Sequence, residues 1–163
     1  MNRCGQSVEL IWINMELTPP EMFQKVWDHF VVNKGKASVT KEEPNVFKCA
    51  YRGPNGTKCS IGVLIPDDMY VEGVEKVDAL KALNYSGVIP NRISMEFAEF
   101  ITHLQQAHDT PAHLFDVDDG KVFSRIIRTN LESMAKYFSI DYNQGESSEE
   151  EDDSNNNGLL AQT

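Results

Sequence analysis

The sequence predicts an α+β fold, about four amphipathic helices packed on a small antiparallel β-hairpin or sheet, from three observations. Apolar residues recur at three- and four-residue steps in several stretches. Residues 46–65 are rich in the β-branched and aromatic residues that strands favour and surround a Pro54-Asn55-Gly56 turn. A chain of 163 residues also suffices for one core without disulfide staples. The expected organisation is an N-terminal arm or annotation extension over 1–16, a single globular domain over 17–142, and a disordered acidic tail over 143–163.

In the arm, Val8, Leu10, Ile11, Trp12 and Ile13 form an apolar run broken by Glu9, with no small-residue cleavage site after it. It supports neither a signal peptide nor a membrane span. It reads as an edge strand or as a loose arm, with Met15 as an alternative start. Thr18-Pro19-Pro20-Glu21 then combines an N-cap hydroxyl, prolines where amide hydrogens have no helical partner, and a glutamate placed to reach back to the cap. Phe23, Val26, Trp27, Phe30 and Val31 give the helix that follows one apolar stripe, and Asn33-Lys34-Gly35 stops it.

Residues 35–45 read as a polar linker, and 46–65 as a hairpin whose two strands meet at the Pro-Asn-Gly turn. Pro66-Asp67-Asp68 ends it. Val74, Val77, Leu80 and Leu83 suggest a helix over 73–84; Ile93, Phe97, Phe100, Ile101, Leu104 and His108 outline another that ends near Asp109-Thr110-Pro111. The last, 120–138, carries Val122, Phe123, Ile126, Ile127, Leu131, Met134 and Phe138 on one side. Beyond it the chain is Ser, Asn, Gly and acid, with too little apolar surface to offset the entropy of ordering.

The net charge of −10 is uneven: Glu146, Glu149, Glu150, Glu151, Asp152 and Asp153 lie in a tail without Lys or Arg, leaving the body at −4. An acidic body repels phosphate backbones, so general nucleic-acid binding is disfavoured. The tail reads as a solubilising extension, or as a mimic of nucleic-acid charge that engages a basic partner. Three cysteines are unlike a secreted disulfide framework and favour a reducing cytoplasm.

Tyr51, Arg52, Asn55 and Lys58 fall at the hairpin tip. They are the solvated end of a turn or, since an aromatic and an Arg beside a rigid turn are residues that anchor interfaces, a contact surface. Cys49 and Cys59 lie across the expected strands and offer two thiolates toward a metal that His29, His108 or Asp109 would complete; inert packing and a redox disulfide are the alternatives. His103 and His108 diverge by about 140° around a helix and cannot share one ion. His29 with His108-Asp109 resembles in outline the HD-type metal phosphohydrolases, with Asp141 as the later aspartate; the plain reading is helix C-terminal capping by His108 and Asp109. Asp116-Val117-Asp118-Asp119-Gly120 is not an EF-hand, because its twelfth position is Ile127 where a bidentate acid is required; it reads as an acidic turn that caps the last helix through Asp118 or Asp119. No phosphate loop, Ser elbow or Cys-His nucleophile pattern is present.

The stretch from Cys49 to Tyr70, Cys-Ala-Tyr-Arg-Gly-Pro-Asn-Gly-Thr-Lys-Cys-Ser-Ile-Gly-Val-Leu-Ile-Pro-Asp-Asp-Met-Tyr, resembles a signature of small uncharacterised proteins of tailed bacteriophages and bacteria. The similarity spans roughly 17–140. It includes an amphipathic helix before the hairpin and a Leu-Gln-x-x-His-Asp stretch, here Leu104 to Asp109, after it. The resemblance implies a cytoplasmic accessory protein, in the host cytoplasm if phage-encoded, and supplies no activity. The expected function is therefore a non-enzymatic protein-interaction module that binds a host or phage protein, with the hairpin tip as contact surface and no cofactor. The alternative is a metal-dependent hydrolase or metal-binding protein holding a divalent ion through His29, Cys49, Cys59, His108 and Asp109. A third reading is small-ligand binding in a pocket between hairpin and helices.

Overall fold

The computed structural model describes residues 17–43, 46–114 and 120–145. Its described elements, in chain order, are α1 (Pro19–Trp27), β1 (Val39–Glu43), β2 (Val46–Cys49), α2 (Ser60–Leu64), α3 (Ala79–Tyr85), α4 (Met95–Leu114) and α5 (Gly120–Tyr137), with short 3-10 turns at Pro54–Gly56 and Glu72–Lys76. The predicted fold class is the one observed: helices on a two-stranded antiparallel sheet. The expected arm, the acidic turn at Asp116-Asp119 and the tail beyond residue 145 lie outside the described residues.

Helix α1 begins as its sequence dictates. The Glu21 carboxylate accepts from the Thr18 backbone N–H and hydroxyl, both at 2.7 Å, and these bonds hold its pKa below the usual value. The helix widens into a π turn over Asp28–Val32, closed by Asn33 N–H donating to the Asp28 carbonyl at 2.8 Å. Its face buries Met22, Phe23, Val26, Trp27 and Phe30 against Phe97, Ile101 and Leu104 of α4 and Phe123, Ile127 and Leu131 of α5, in one continuous core.

Three expected elements fall differently. Only the first half of the 46–65 hairpin is a strand: β2 pairs with β1, inside the segment read as a polar linker, in the register Val39↔Cys49, Thr40↔Lys48 and Lys41↔Phe47. The second half is α2, with Cys59 as its N-cap, because Ile61, Leu64 and Ile65 bury at helical spacing. The strand-like approach across the Pro-Asn-Gly turn survives as a single bridge, Arg52↔Lys58. The expected 73–84 helix is split: the 3-10 turn closes at Val77, and Asp78 caps α3, its carboxylate accepting from Lys81 N–H at 3.0 Å.

Helix α4 does not stop at Pro111; it runs through to Leu114. Proline removes the N–H that would bond the Ala107 carbonyl, and Asn130 of α5 supplies the missing donor, Nδ2 to Ala107 O at 3.2 Å. His108 and Asp109 therefore lie inside the helix, His108 on its buried face, and the expectation that they cap its solvated end is corrected.

After α5 the chain doubles back over α1. Gln24 and Asn143 exchange two hydrogen bonds (3.0 and 2.7 Å), Trp27 Nε1–H donates to the Gln144 carbonyl at 3.1 Å, and the Tyr142 ring meets Phe23 and Trp27 edge-on at 5.0 and 4.6 Å. These contacts to α1 run through Gln144.

Candidate functional site

The Pro54-Asn55-Gly56 turn is built as its residues predict, with Asn55 and Gly56 in the left-handed region at φ 57° and 76°. Asn55 is exposed, and the other three tip residues turn inward. Tyr51 is only 7 % exposed; its hydroxyl donates to the Val77 carbonyl at 2.7 Å. The backbone N–H groups of Tyr51 and Arg52 both donate to the Glu75 carboxylate, at 2.9 and 2.8 Å, and the Tyr70 hydroxyl adds a third bond at 2.8 Å. Burial and the Glu75 hydrogen bond push the Tyr70 phenol up to about 12; burial also raises that of Tyr51.

Arg52 donates to the Ile65 carbonyl at 2.8 Å, pairs with Asp67 at 2.5 Å and lies 4.6 Å over the Tyr70 ring. Lys58 reaches the same Asp67 carboxylate at 2.9 Å. Hydrogen bonds from Lys58 and then Arg52 hold the Asp67 pKa below its ordinary value. The wet apex expected of Tyr51, Arg52 and Lys58 is thus corrected to a brace. It joins the 53–57 turn to the 66–72 loop, where Met69 (45 % exposed) and Val71 (61 %) face outward.

Behind this brace the 49–70 and 104–109 stretches meet. A cavity of about 300 Å³ is lined by Cys49, Tyr51 and Cys59 from one and by Gln105 and Asp109 from the other, with Glu75 between them. One ligating atom each from Cys49 and Asp109 of this lining and from the buried His108 lies within 4.8 Å of the others. His108, fully buried between Phe30 and Phe123, accepts the Ser38 backbone N–H at Nε2 (3.0 Å) and contacts Asp109 Oδ1 through Nδ1 at 2.9 Å. An N–H donor at Nε2 leaves the ring proton on Nδ1, which therefore donates to Asp109.

Cys49 also hydrogen-bonds Asp109; burial first, then that carboxylate, push its thiol pKa well above the ordinary value. Cys59 is pushed up to about 12, chiefly by burial, while its sulfur accepts from Gly62 N–H at 3.4 Å. Both cysteines are thiols, not a disulfide, and both hold their protons.

Of the five residues expected around a metal, three converge. Cys59 lines the same cavity but stands outside the three-donor set. His29 is also outside it: its Nε2 is buried without a hydrogen-bond partner, and burial, then the Lys58 charge, lower its pKa. Asp141 is exposed at the start of the returning strap, far along the chain from this wall. Sequence reasoning missed Ser38 and Glu75. Neither has a local signal: Ser38 sits in what reads as linker, and Glu75 is one acid among many until its three donors are in place. No family model, curated protein or solved structure gives a significant match to this chain.

Proposed function

We propose that this chain is a non-enzymatic accessory protein, phage-borne or bacterial and acting in the cytoplasm, that binds a partner protein through the ledge made by the 53–57 turn and the 66–72 loop. The observation that supports it is the brace itself. Arg52 and Lys58 direct their charges inward, so the ledge is held in shape before any partner arrives, and less ordering entropy is lost on docking. Met69 and Val71 supply outward apolar contact, and Asn55, Asp68 and Glu72 are the exposed polar groups of the same ledge. The partner that fits is an apolar protein surface rimmed by basic residues. Asn55 keeps its expected role as a direct contact, whereas Tyr51, Arg52 and Lys58 act by supporting the ledge. The protonated thiols of Cys49 and Cys59 favour binding over nucleophilic catalysis at the cavity.

The test is a photo-crosslinking residue at Val71, with the same residue at exposed Lys136 as control, in cells that contain the partner. A discrete cross-linked protein at Val71 and not at Lys136, lost in the Met69→Asp/Asn55→Ala background, is the expected result. Identical cross-links from the two positions reject the ledge.

A further inference from the structure

We propose that Cys49, His108 and Asp109 form a binding site for one thiophilic divalent cation of the zinc class, opening on the cavity between β2 and α4. The inference is independent of the ledge reading. It rests on donor chemistry and placement: a sulfur, an imidazole nitrogen and a carboxylate oxygen, supplied by elements nearly sixty residues apart, come within 4.8 Å of one another. This is the mixed soft and borderline ligand set that zinc-class ions take in sites with three protein donors. Donors around a tetrahedral zinc lie about 3.3 to 3.8 Å apart, so the set needs to contract by about 1 Å. His108 Nδ1 and Asp109 Oδ1, at 2.9 Å, open slightly instead. The cavity of about 300 Å³ leaves room for the fourth ligand, a water or a small molecule.

Two protons now stand where the cation would sit, one on Cys49 Sγ and one on His108 Nδ1. On binding, the thiol proton leaves to solvent and a sulfur–metal bond replaces the S–H bond. The imidazole stays neutral: it exchanges its proton from Nδ1 to Nε2, and Nδ1 takes the metal. One proton is released per cation bound. The tautomer change ends the hydrogen bond from Ser38 N–H to Nε2. Ser38 N–H and the new Nε2–H are then two donors facing each other in a buried site, so the Ser38 segment has to shift from the ring for the ion to bind.

The experiment uses the full chain, stripped with a chelator and titrated with cobalt and with zinc against a chromogenic competitor. Expected are one equivalent per chain, a thiolate-to-cobalt charge-transfer band, release of one proton per ion, and a changed Ser38 amide signal in NMR. Cys49→Ser should abolish the band, Asp109→Asn should weaken zinc binding at least tenfold, and Cys59→Ser should leave the band in place, each in protein whose circular dichroism is unchanged. Absence of stoichiometric uptake overturns the proposal, as does a band that survives Cys49→Ser or disappears in a folded Cys59→Ser protein.

Discussion

Gly62→Ala should cost about 3 to 5 kcal/mol. A Cβ on Gly62 would lie 1.8 Å from the Tyr51 carbonyl oxygen and 2.6 Å from its carbon, both backbone atoms. Relief takes a separation of about 1.4 Å between α2 and the 49–52 segment, taking ordinary carbon–oxygen contact as about 3.2 Å. That segment is pinned: Tyr51 and Arg52 N–H both bond Glu75, and the Tyr51 carbonyl accepts from Cys59 N–H at 3.3 Å. Loosening two charge-assisted bonds at about 1.5 kcal/mol each, and one neutral bond at about 1, gives the estimate. The entropic gain of Gly→Ala, about 0.4 to 1 kcal/mol, offsets little of it. With a urea slope of about 2 kcal/mol/M the midpoint should fall by about 1.5 to 2.5 M. Gly73→Ala is the control, since its Cβ meets nothing within 4 Å, and its midpoint should stay level or rise slightly. A Gly62→Ala midpoint within about 0.3 M of wild type would refute the argument that this glycine exists for close backbone approach.

Two further substitutions probe the helical core. Asn130→Leu strands the Ala107 carbonyl and should cost about 1 to 2 kcal/mol in urea unfolding; in a Pro111→Ala background, which restores the helical N–H, the cost should shrink by at least about 0.5 kcal/mol, and strictly additive effects would show that Asn130 does not serve this carbonyl. Burial lowers the folded pKa of His29 below its ordinary value of 6.5, so the unfolded chain binds its proton more readily. Its contribution to stability is complete above pH 6.5 and declines as pH falls from there through the lower folded value. Thermal midpoints measured from pH 8 to pH 5 should therefore drop more steeply in wild type than in His29→Gln, and equal slopes would remove His29 as the cause.

The helices were legible where their signal is local. The Thr18-to-Glu21 cap and the stripe from Phe23 to Val31 place α1 within a residue or two, and the apolar face from Phe123 to Met134 places α5. The hairpin misled because Ile61, Val63 and Ile65 alternate as a strand would while Ile61, Leu64 and Ile65 are also spaced as a helix would be, and five residues cannot separate the two periods. Pro111 misled because its tolerance depends on Asn130, nineteen positions away and on another helix. The candidate metal ligands were legible as residue types only. That Cys49 joins His108 and Asp109, while His29 and Cys59 do not, follows from how β2 packs on α4, for which no short window of sequence carries a signal.

The strap that returns over α1 bears on how the chain is made. Trp27 finds its partner carbonyl 117 positions later; at translation rates of 5 to 20 residues per second, roughly 6 to 23 seconds pass between the synthesis of the indole and of its cover. Through that interval the Phe23–Trp27 aromatic face is open on the nascent polypeptide, a natural target for chaperones at the ribosome. Premature termination before Tyr142 would leave the same face unprotected in the released product.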